Sequence, residues 1–545
     1  MTSRSLGHRA PLLWLVLPLI AGIAVGRYGP AGQVEWLLAG AGFSTLLALV
    51  AAWIHPRFWA WPLCGALFLA GDASYTLRRA RLAAWEHLPP REVRLGLRVD
   101  RVFPQTEAGK CAGLATVKRS ETHLPDLVGQ RIYFSASLAR GNPTLIRSEM
   151  ITATGVLTPL PENPSGTSFD GYLADAGMNF RLARGRVLGV DQPPTPYREF
   201  CEHLSRKLNA ILSAGVTAKR PALAAIYRAM MLGQKSELSI DQDQLFVHSG
   251  TMHLFAISGL HIGVVAAALH ALLLLARCPR PVVAGMTLLV LWINVDVTGA
   301  SPSAIRAWLL VAAAEIAFAL RLRGNGVAAL TTAALLMLLA EPMTLFSASF
   351  QMSYGVVLAL LCFGLPLAER LAERWPPWPH LPEVTWTWWQ RWVASATRWF
   401  WPVFGIGVAA WLVGTVAGAA FYGVITPGSL LANLVLVPMA MVVIVAGFTS
   451  SMLGLAGWVS ASAFLNHAAV LVLMGIDALI RLGERVPGAW WPAQWRAPWL
   501  GTATLVALLA VVLAGYANGW RGWSRFFWPP FAVVALALIF GVKFG

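Results

Sequence analysis

The chain has 545 residues, 57% of them hydrophobic and 12% charged. A soluble globular protein carries about 25% charged residues, so a purely water-soluble architecture is excluded. Lys and Arg number 42 against 26 Asp and Glu, a net charge of +16. In a membrane protein part of such an excess is the basic bias of cytoplasmic loops, so charge alone does not identify a nucleic-acid partner. Many separate windows exceed about 18 apolar residues, which makes the chain a polytopic membrane protein.

The first ten residues hold Arg4, His8 and Arg9 and no acid. The apolar run Pro11 to Gly26 ends in Ala24-Val25-Gly26, a poor cleavage site. Further spans follow at about 35–54 and 57–76, so the run reads as a retained helix. A basic, cytoplasmic amino terminus places the segment after the third span outside.

Residues 77–215 form a soluble interlude. Its first stretch, Leu77–Leu88, suits a helix lying on anionic lipid. Five runs then read as strands: Glu92–Phe103, Gly113–Arg119, Gln130–Ser137, Ile151–Leu160 and Met178–Val190. Five short strands suggest a small barrel, with the OB-fold as one option. Cations with interleaved aromatics suit a single nucleic-acid strand, with phosphates on the cations and bases on the rings. The candidates are Arg94, Arg98, Arg101, Lys118, Arg119, Arg131, Tyr133, Phe134, Phe180, Arg181 and Arg184. The competing reading is a solvated strand face with its aromatics in the barrel core. Cys111 and Cys201 both fall here, and an extracytoplasmic location allows either a disulfide or two thiols.

Residues 216–545 are predominantly apolar. Ala218–Gln234 reads as a helix. The stretch 253–276 reads as a span that opens with His253, Ser258 and His261 among apolar residues. On one helix, His253 and His261 stand about 80° apart and Ser258 and His261 about 60°, so all three share a face. Polar residues at membrane depth face a bundle interior or a wet cavity. The next span, about 281–297, ends with Asp296. Arg306 and Glu315 sit in an apolar helix of about 305–320. Arg306 either snorkels to the interface or pairs with Asp296, or it lines a conduction path. Gln351 and Ser353 either bond between helices or line a path. Residues 367–401, with Trp375, Trp378, Trp386, Trp388 and Trp389, read as a cytoplasmic loop anchored at the interface. Asn433 and Pro438 inside an apolar run point to a broken helix of the kind that lines substrate paths.

His253-Leu-Phe-Ala-Ile-Ser-Gly-Leu-His-Ile-Gly263 resembles the signature of the ComEC-type competence proteins. Five further stretches resemble elements of that family in the same order. They are Asn163-Pro164 through Gly177, Leu232-Gly233-Gln234-Lys235-Ser236, Thr298-Gly299 through Arg306-Ala307, Ser349-Phe350-Gln351-Met352-Ser353, and Asn433-Leu434 through Pro438. Met352 stands where the family usually has Leu. The resemblance implies a polytopic α-helical membrane protein of about 11–14 membrane helices, some discontinuous, with an inserted OB-like barrel outside the cytoplasmic membrane. The expected domains are the amino-terminal helices (1–76), the barrel domain (77–215) and the channel domain (216–545). The implied function is passage of single-stranded DNA into the cytoplasm along His253, Ser258, Gly259, His261, Arg306, Gln351, Ser353 and Asn433.

Many members of that family carry a metallo-β-lactamase-like domain after the channel. The eleven histidines do not form its His-x-His-x-Asp-His cluster, and no P-loop is present. The chain is therefore expected to have no cofactor, metal site or catalytic residue. Its expected partners are single-stranded DNA, the lipid bilayer, and separate DNA receptor, nuclease and cytoplasmic motor or strand-binding proteins. Two other classes stay open. Ser258 and His261 are one turn apart and mimic a Ser–His hydrolase pair. His253, His261, Asp296 and Glu315 are able to relay protons in a small-solute or ion transporter.

Overall fold

The computed structural model describes residues 12–30, 32–54, 58–79, 89–103, 109–122, 124–138, 145–161, 168–234, 238–255, 257–322 and 324–544. Much of the expected Leu77–Leu88 helix, Asn163-Pro164, Lys235-Ser236 and Ala256 lie outside these residues.

Three helices open the chain: α1 (Leu13–Tyr28), α2 (Val34–Ile54) and α3 (Ala60–Arg79). The five expected strands follow as β1 (Arg91–Val102), β2 (Lys110–Arg119), β3 (Arg131–Ser137), β4 (Met150–Pro159) and β5 (Phe180–Gln192), with a short helix α4 (Phe169–Asp175) before the last. They close into a barrel in the order β1-β2-β3-β5-β4, with β4 returning to β1 and β3 parallel to β5. Alternate residues point inward, as the pleat demands. Along β4 every second side chain is buried. The core holds Leu95, Leu97, Phe134, Ile151, Phe180, Leu182 and Val187. Phe134 and Phe180 are thus core residues, which corrects their expected place on a nucleic-acid-binding face. Inward alternation from two adjacent strands put them there.

Next come α5 (Pro196–Ser213), α6 (Pro221–Leu232) and α7 (Ile240–His248). Then α8 (Gly259–Leu275), α9 (Arg280–Val297), α10 (Pro302–Ala319) and α11 (Gly326–Ala340) follow. The helix α12 (Ala348–Ala359) continues through a π-turn at 360–364 into α13 (Leu365–Arg374). Behind it lie α14 (Trp388–Ala417), β6 (Val424–Ile425), α15 (Ser429–Leu455) and α16 (Val459–Glu484). The described chain ends in β7 (Trp491–Trp495), α17 (Pro498–Ala517), α18 (Pro529–Gly541) and β8 (Val542–Phe544). Among the described residues, eight helical stretches are long and apolar enough to cross a membrane and five shorter helices are apolar.

Three expectations need correction. The signature span is not one helix: α8 begins at Gly259, because Ser258 caps it and the preceding chain is turned at Gly250. Pro438 does not break its helix. It sits inside the continuous α15, and the interruption falls earlier, at residues 426–428. Proline removes a single backbone donor, and packed neighbours keep a membrane helix intact around it. The expected loop 367–401 is helical at both ends, within α13 and α14. Of the two readings left open for Cys111 and Cys201, the structure has two free thiols, one in the barrel and one on α5. A small antiparallel sheet, β6-β7-β8, was not expected; its three short strands lie far apart in sequence.

The barrel is held to the helices at four helix C-termini. Arg27 at the end of α1 meets Asp175 at 2.9 Å. Arg78 near the end of α3 and Arg131 on β3 both reach Glu341 Oε2 beyond α11, at 2.8 and 2.9 Å. Asp296 near the end of α9 receives Arg198 Nη1 at 2.6 Å, Arg147 Nη1 at 3.1 Å and the Tyr197 hydroxyl at 2.8 Å. Asp296 therefore serves the barrel junction and not Arg306.

Candidate functional site

Between two helices the described residues of 249–258 carry backbone that is not α-helical, with a 3-10 turn at Met252–Leu254. Irregular backbone at membrane depth persists only where protein buries it or a wet cavity receives it. Here protein does most of this. Thr251 and Leu254 are fully buried, and Phe255 stacks on Phe246 at 3.8 Å between ring centroids. Gly250 adopts φ 69°, and a Cβ there would meet Thr426 Oγ1 at 2.7 Å and Ser429 Cβ at 2.8 Å. Glycine is required for both the left-handed turn and the close approach. Gly233 at the end of α6 is similar: φ is 75°, and a Cβ would lie 3.0 Å from Ile257 Cδ1.

At the start of α8, Ser258 Oγ lies 3.1 Å from His261 Nδ1, and the Ser258 backbone N–H donates to the same nitrogen at 3.4 Å. This is a capping-box arrangement, which satisfies backbone groups at a helix start. It explains the Ser–His proximity without a nucleophile. With Nδ1 accepting, the neutral ring carries its proton on Nε2. That atom is buried and has no partner among the described residues.

The start of α10 packs on the same segment. Ser303 Oγ donates to Ile257 O at 2.9 Å, and Ala307 faces Gly259. Arg306, between them, is 1% exposed. Its Nη2 donates to Ser349 O at 2.8 Å and to Ser349 Oγ at 2.6 Å, at the start of α12. Its Nε and Nη1 are buried and have no partner among the described residues, and the Tyr354 hydroxyl is in the same state. An uncompensated buried cation costs several kcal/mol, so this fold holds an unmet demand for an anion or for acceptors. Ser349, His253 and Gly259 are exposed.

The structure thus brings His253, Ser258, Gly259, His261 and Arg306 into one region. The others fall nearby. Gln351 bonds back to Leu345 O at 3.2 Å, and Ser353 is half-buried on the same helix. Asn433 lies one turn after Ser429 and leaves Oδ1 buried without a partner among the described residues. The His270–Glu315 pair, Nδ1 to Oε1 at 2.8 Å, lies apart, towards the other ends of α8 and α10.

On the barrel, Arg94, Arg98 and Arg119 are exposed on the outer face of β1 and β2, where Arg119 stands opposite Gly96. Lys118 and Arg184 are exposed as well. Arg131 is committed to Glu341. A different rung runs Arg101–Leu114–Tyr133–Arg181 across β1, β2, β3 and β5. Tyr133 is buried there and touches Phe103 at 6.1 Å and Phe169 at 5.1 Å. Phe169 and Tyr172 are each 46% exposed and stack on one another at 6.1 Å. The sequence reading missed Phe169, Tyr172, Arg147 and Arg198. The first two were legible as aromatics in the Phe169-Asp170-Gly171-Tyr172 element. The two arginines carried no local signal.

These features define a multi-pass helical membrane protein with a five-stranded barrel docked on its helix ends and a cluster of polar side chains among its helices, some of them without partners among the described residues. The sequence profile of the competence protein family matches residues 230–517, more than half of the chain. The chain belongs to that family. It is also similar to "ComE operon protein 3" of Bacillus subtilis (strain 168), 30% identical over 141 residues. That match covers 26% of this chain and 18% of the relative. No solved structure matches the chain.

Proposed function

We propose that the protein is an inner-membrane channel that passes single-stranded DNA into the cytoplasm during natural transformation. The observation that carries this reading is the convergence on the Ser249–Ser258 segment. Residues from five stretches that resemble family elements pack on it or beside it: Gly233, Ser258–His261, Ser303–Ala307, Ser349 and the start of α15. At their centre stands Arg306, a buried cation with spare donors. A polyanion crossing a bilayer needs replacements for its hydration and counterions, and fixed donors in an enclosed cleft supply them. The path runs along His253, Ser258, Gly259, His261, Arg306, Gln351, Ser353 and Asn433. The barrel, on the extracytoplasmic side with the amino terminus inside, receives the strand on Arg94, Arg98, Arg101, Lys118, Arg119, Arg181 and Arg184. A separate receptor, nuclease and cytoplasmic strand-binding or motor protein complete the route.

The test is uptake of labelled DNA by cells with the wild type, a deletion and His261→Ala, at matched membrane levels. Both altered strains are expected to leave DNA outside the inner membrane. Normal uptake by the deletion strain would overturn the reading. One observation favours a proton-coupled small-solute transporter instead, the His270–Glu315 pair within the helices. Solute transport lost in Glu315→Gln with DNA uptake unchanged would select it.

A further inference from the structure

Between the barrel and the end of α9 lies a cavity of about 170 Å³. Its charged lining is Arg101 from β1, Arg147 from the loop before β4, Arg198 and Glu202 from α5, and Asp296. Three cations face two carboxylates, so the walls keep one positive charge. The geometry is more lopsided than the count. Arg147 and Arg198 share the single carboxylate of Asp296, whose side chain is 2% exposed, while Arg101 forms no ion pair among the described residues and lies 5.6 Å from the ring of Phe103. Burial, and next the like charge of Arg198, pull the Arg147 pKa below its usual value.

We propose that this cavity is a binding site for one phosphodiester group, held by Arg101, Arg147 and Arg198 in competition with Asp296. The proposal rests on the channel reading above and deepens it, by naming where a strand leaves the barrel for the helices. Two sources supply the same chemistry, a single strand and a lipid headgroup. The strand is favoured by what adjoins Arg101. Its rung continues through Tyr133 to Arg181, and the ring contacts Phe103–Tyr133–Phe169–Tyr172 lead outward to two exposed, stacked aromatics. Arg181 lies 6.0 Å from the Phe169 ring. Rings that accept bases beside a pocket that accepts a phosphate match the repeat of a single strand and not a lipid.

The experiment uses the full chain in phosphatidylcholine nanodiscs and a fluorescein-labelled oligothymidylate, read by anisotropy over a range of KCl. Arg101→Gln makes no change to the bonds on Asp296, so the junction stays closed. It is expected to weaken binding several-fold and to flatten the slope of log affinity against log salt by about 0.7. Asp296→Asn removes the competing carboxylate and is expected to strengthen binding. Phe169→Ala is expected to weaken it roughly fivefold or more. If the wild type binds and neither Arg101→Gln nor Asp296→Asn changes affinity or slope, the cavity is not the site, while the channel reading stands. If the wild type binds no oligonucleotide at any salt, the channel reading itself fails. Mass spectrometry of retained phosphatidylglycerol forms the lipid arm. Loss of that lipid in Arg101→Gln, with oligonucleotide binding unchanged, assigns the cavity to headgroups and overturns the strand.

Discussion

The barrel and the helical layer bury their interiors by opposite rules. The barrel core is apolar throughout, and its ladder closes on itself, so its edges are paired. The helical layer buries Arg306, His261, Tyr354 and Asn433 with polar atoms that find no partner among the described residues. One other part of the same layer satisfies its polar groups well. Asn466, fully buried on α16, donates to Ile211 O at 2.8 Å and Ala214 O at 3.3 Å, and accepts from Ser450 and Tyr227. Unmet groups also occur in the barrel domain, at Asp170 and Arg181, and elsewhere among the helices, at Thr287, Glu315 and Asp477, but those of Arg306, His261 and Asn433 gather where the motifs converge. A fold able to build the Asn466 network and yet leaving Arg306 half-bonded has traded stability for a polar site at that place.

The contrast is open to direct tests. The largest effect is expected in the barrel, where Phe134→Ala should cost about 3–5 kcal/mol. Limited proteolysis of the full chain in detergent should then cut first within residues 91–192. In the satisfied part of the helical layer, Asn466→Ala should cost about 1–3 kcal/mol, because it strands acceptors on the end of α5 and donors on two neighbouring helices. Thermal unfolding in detergent reads it, and an unchanged midpoint would remove the distinction between the two polar regions.

Arg306→Met should behave in the opposite sense. It removes a buried cation with spare donors, so the unfolding midpoint should hold or rise, while DNA uptake falls about tenfold or more. A lowered midpoint would make Arg306 a structural residue. Ser258→Ala removes half of the capping box and should cost about 1 kcal/mol. The smallest effect concerns Cys111, whose thiol is pushed up to about 11, mainly by burial in the barrel. A maleimide at pH 7.5 should leave it unmodified until the barrel unfolds, and rapid labelling of the native protein would contradict a closed core.

Strand periodicity located all five barrel strands, and the motifs picked out stretches that the fold brings together. The reading went wrong where local pattern has no access to a partner. Phe134 and Phe180 look the same in sequence whether they face a ligand or a core; the closure of β3 beside β5 turned them inward. Three-residue spacing correctly put Ser258 beside His261, but on a helix start, which removes His253 from the shared helical face. Pro438 read as a break because a proline breaks an isolated helix, whereas α15 is held by the helices around it.

The sequence by itself determined what composition and short-range order control: a multi-pass helical layer, a small barrel between its third and later spans, and the stretches that carry the polar residues. Hydrophobic runs and alternation act within a few residues, so they are legible without a fold. The tertiary structure alone decided the pairings. It set Arg306 on Ser349 across 43 positions, and Arg147 on Asp296 across 149. It also left the donors of Arg306 unmet and opened a cationic cavity beneath the barrel. Long-range electrostatics depends on which surfaces close on one another, and that is settled only when the helices and the barrel have packed.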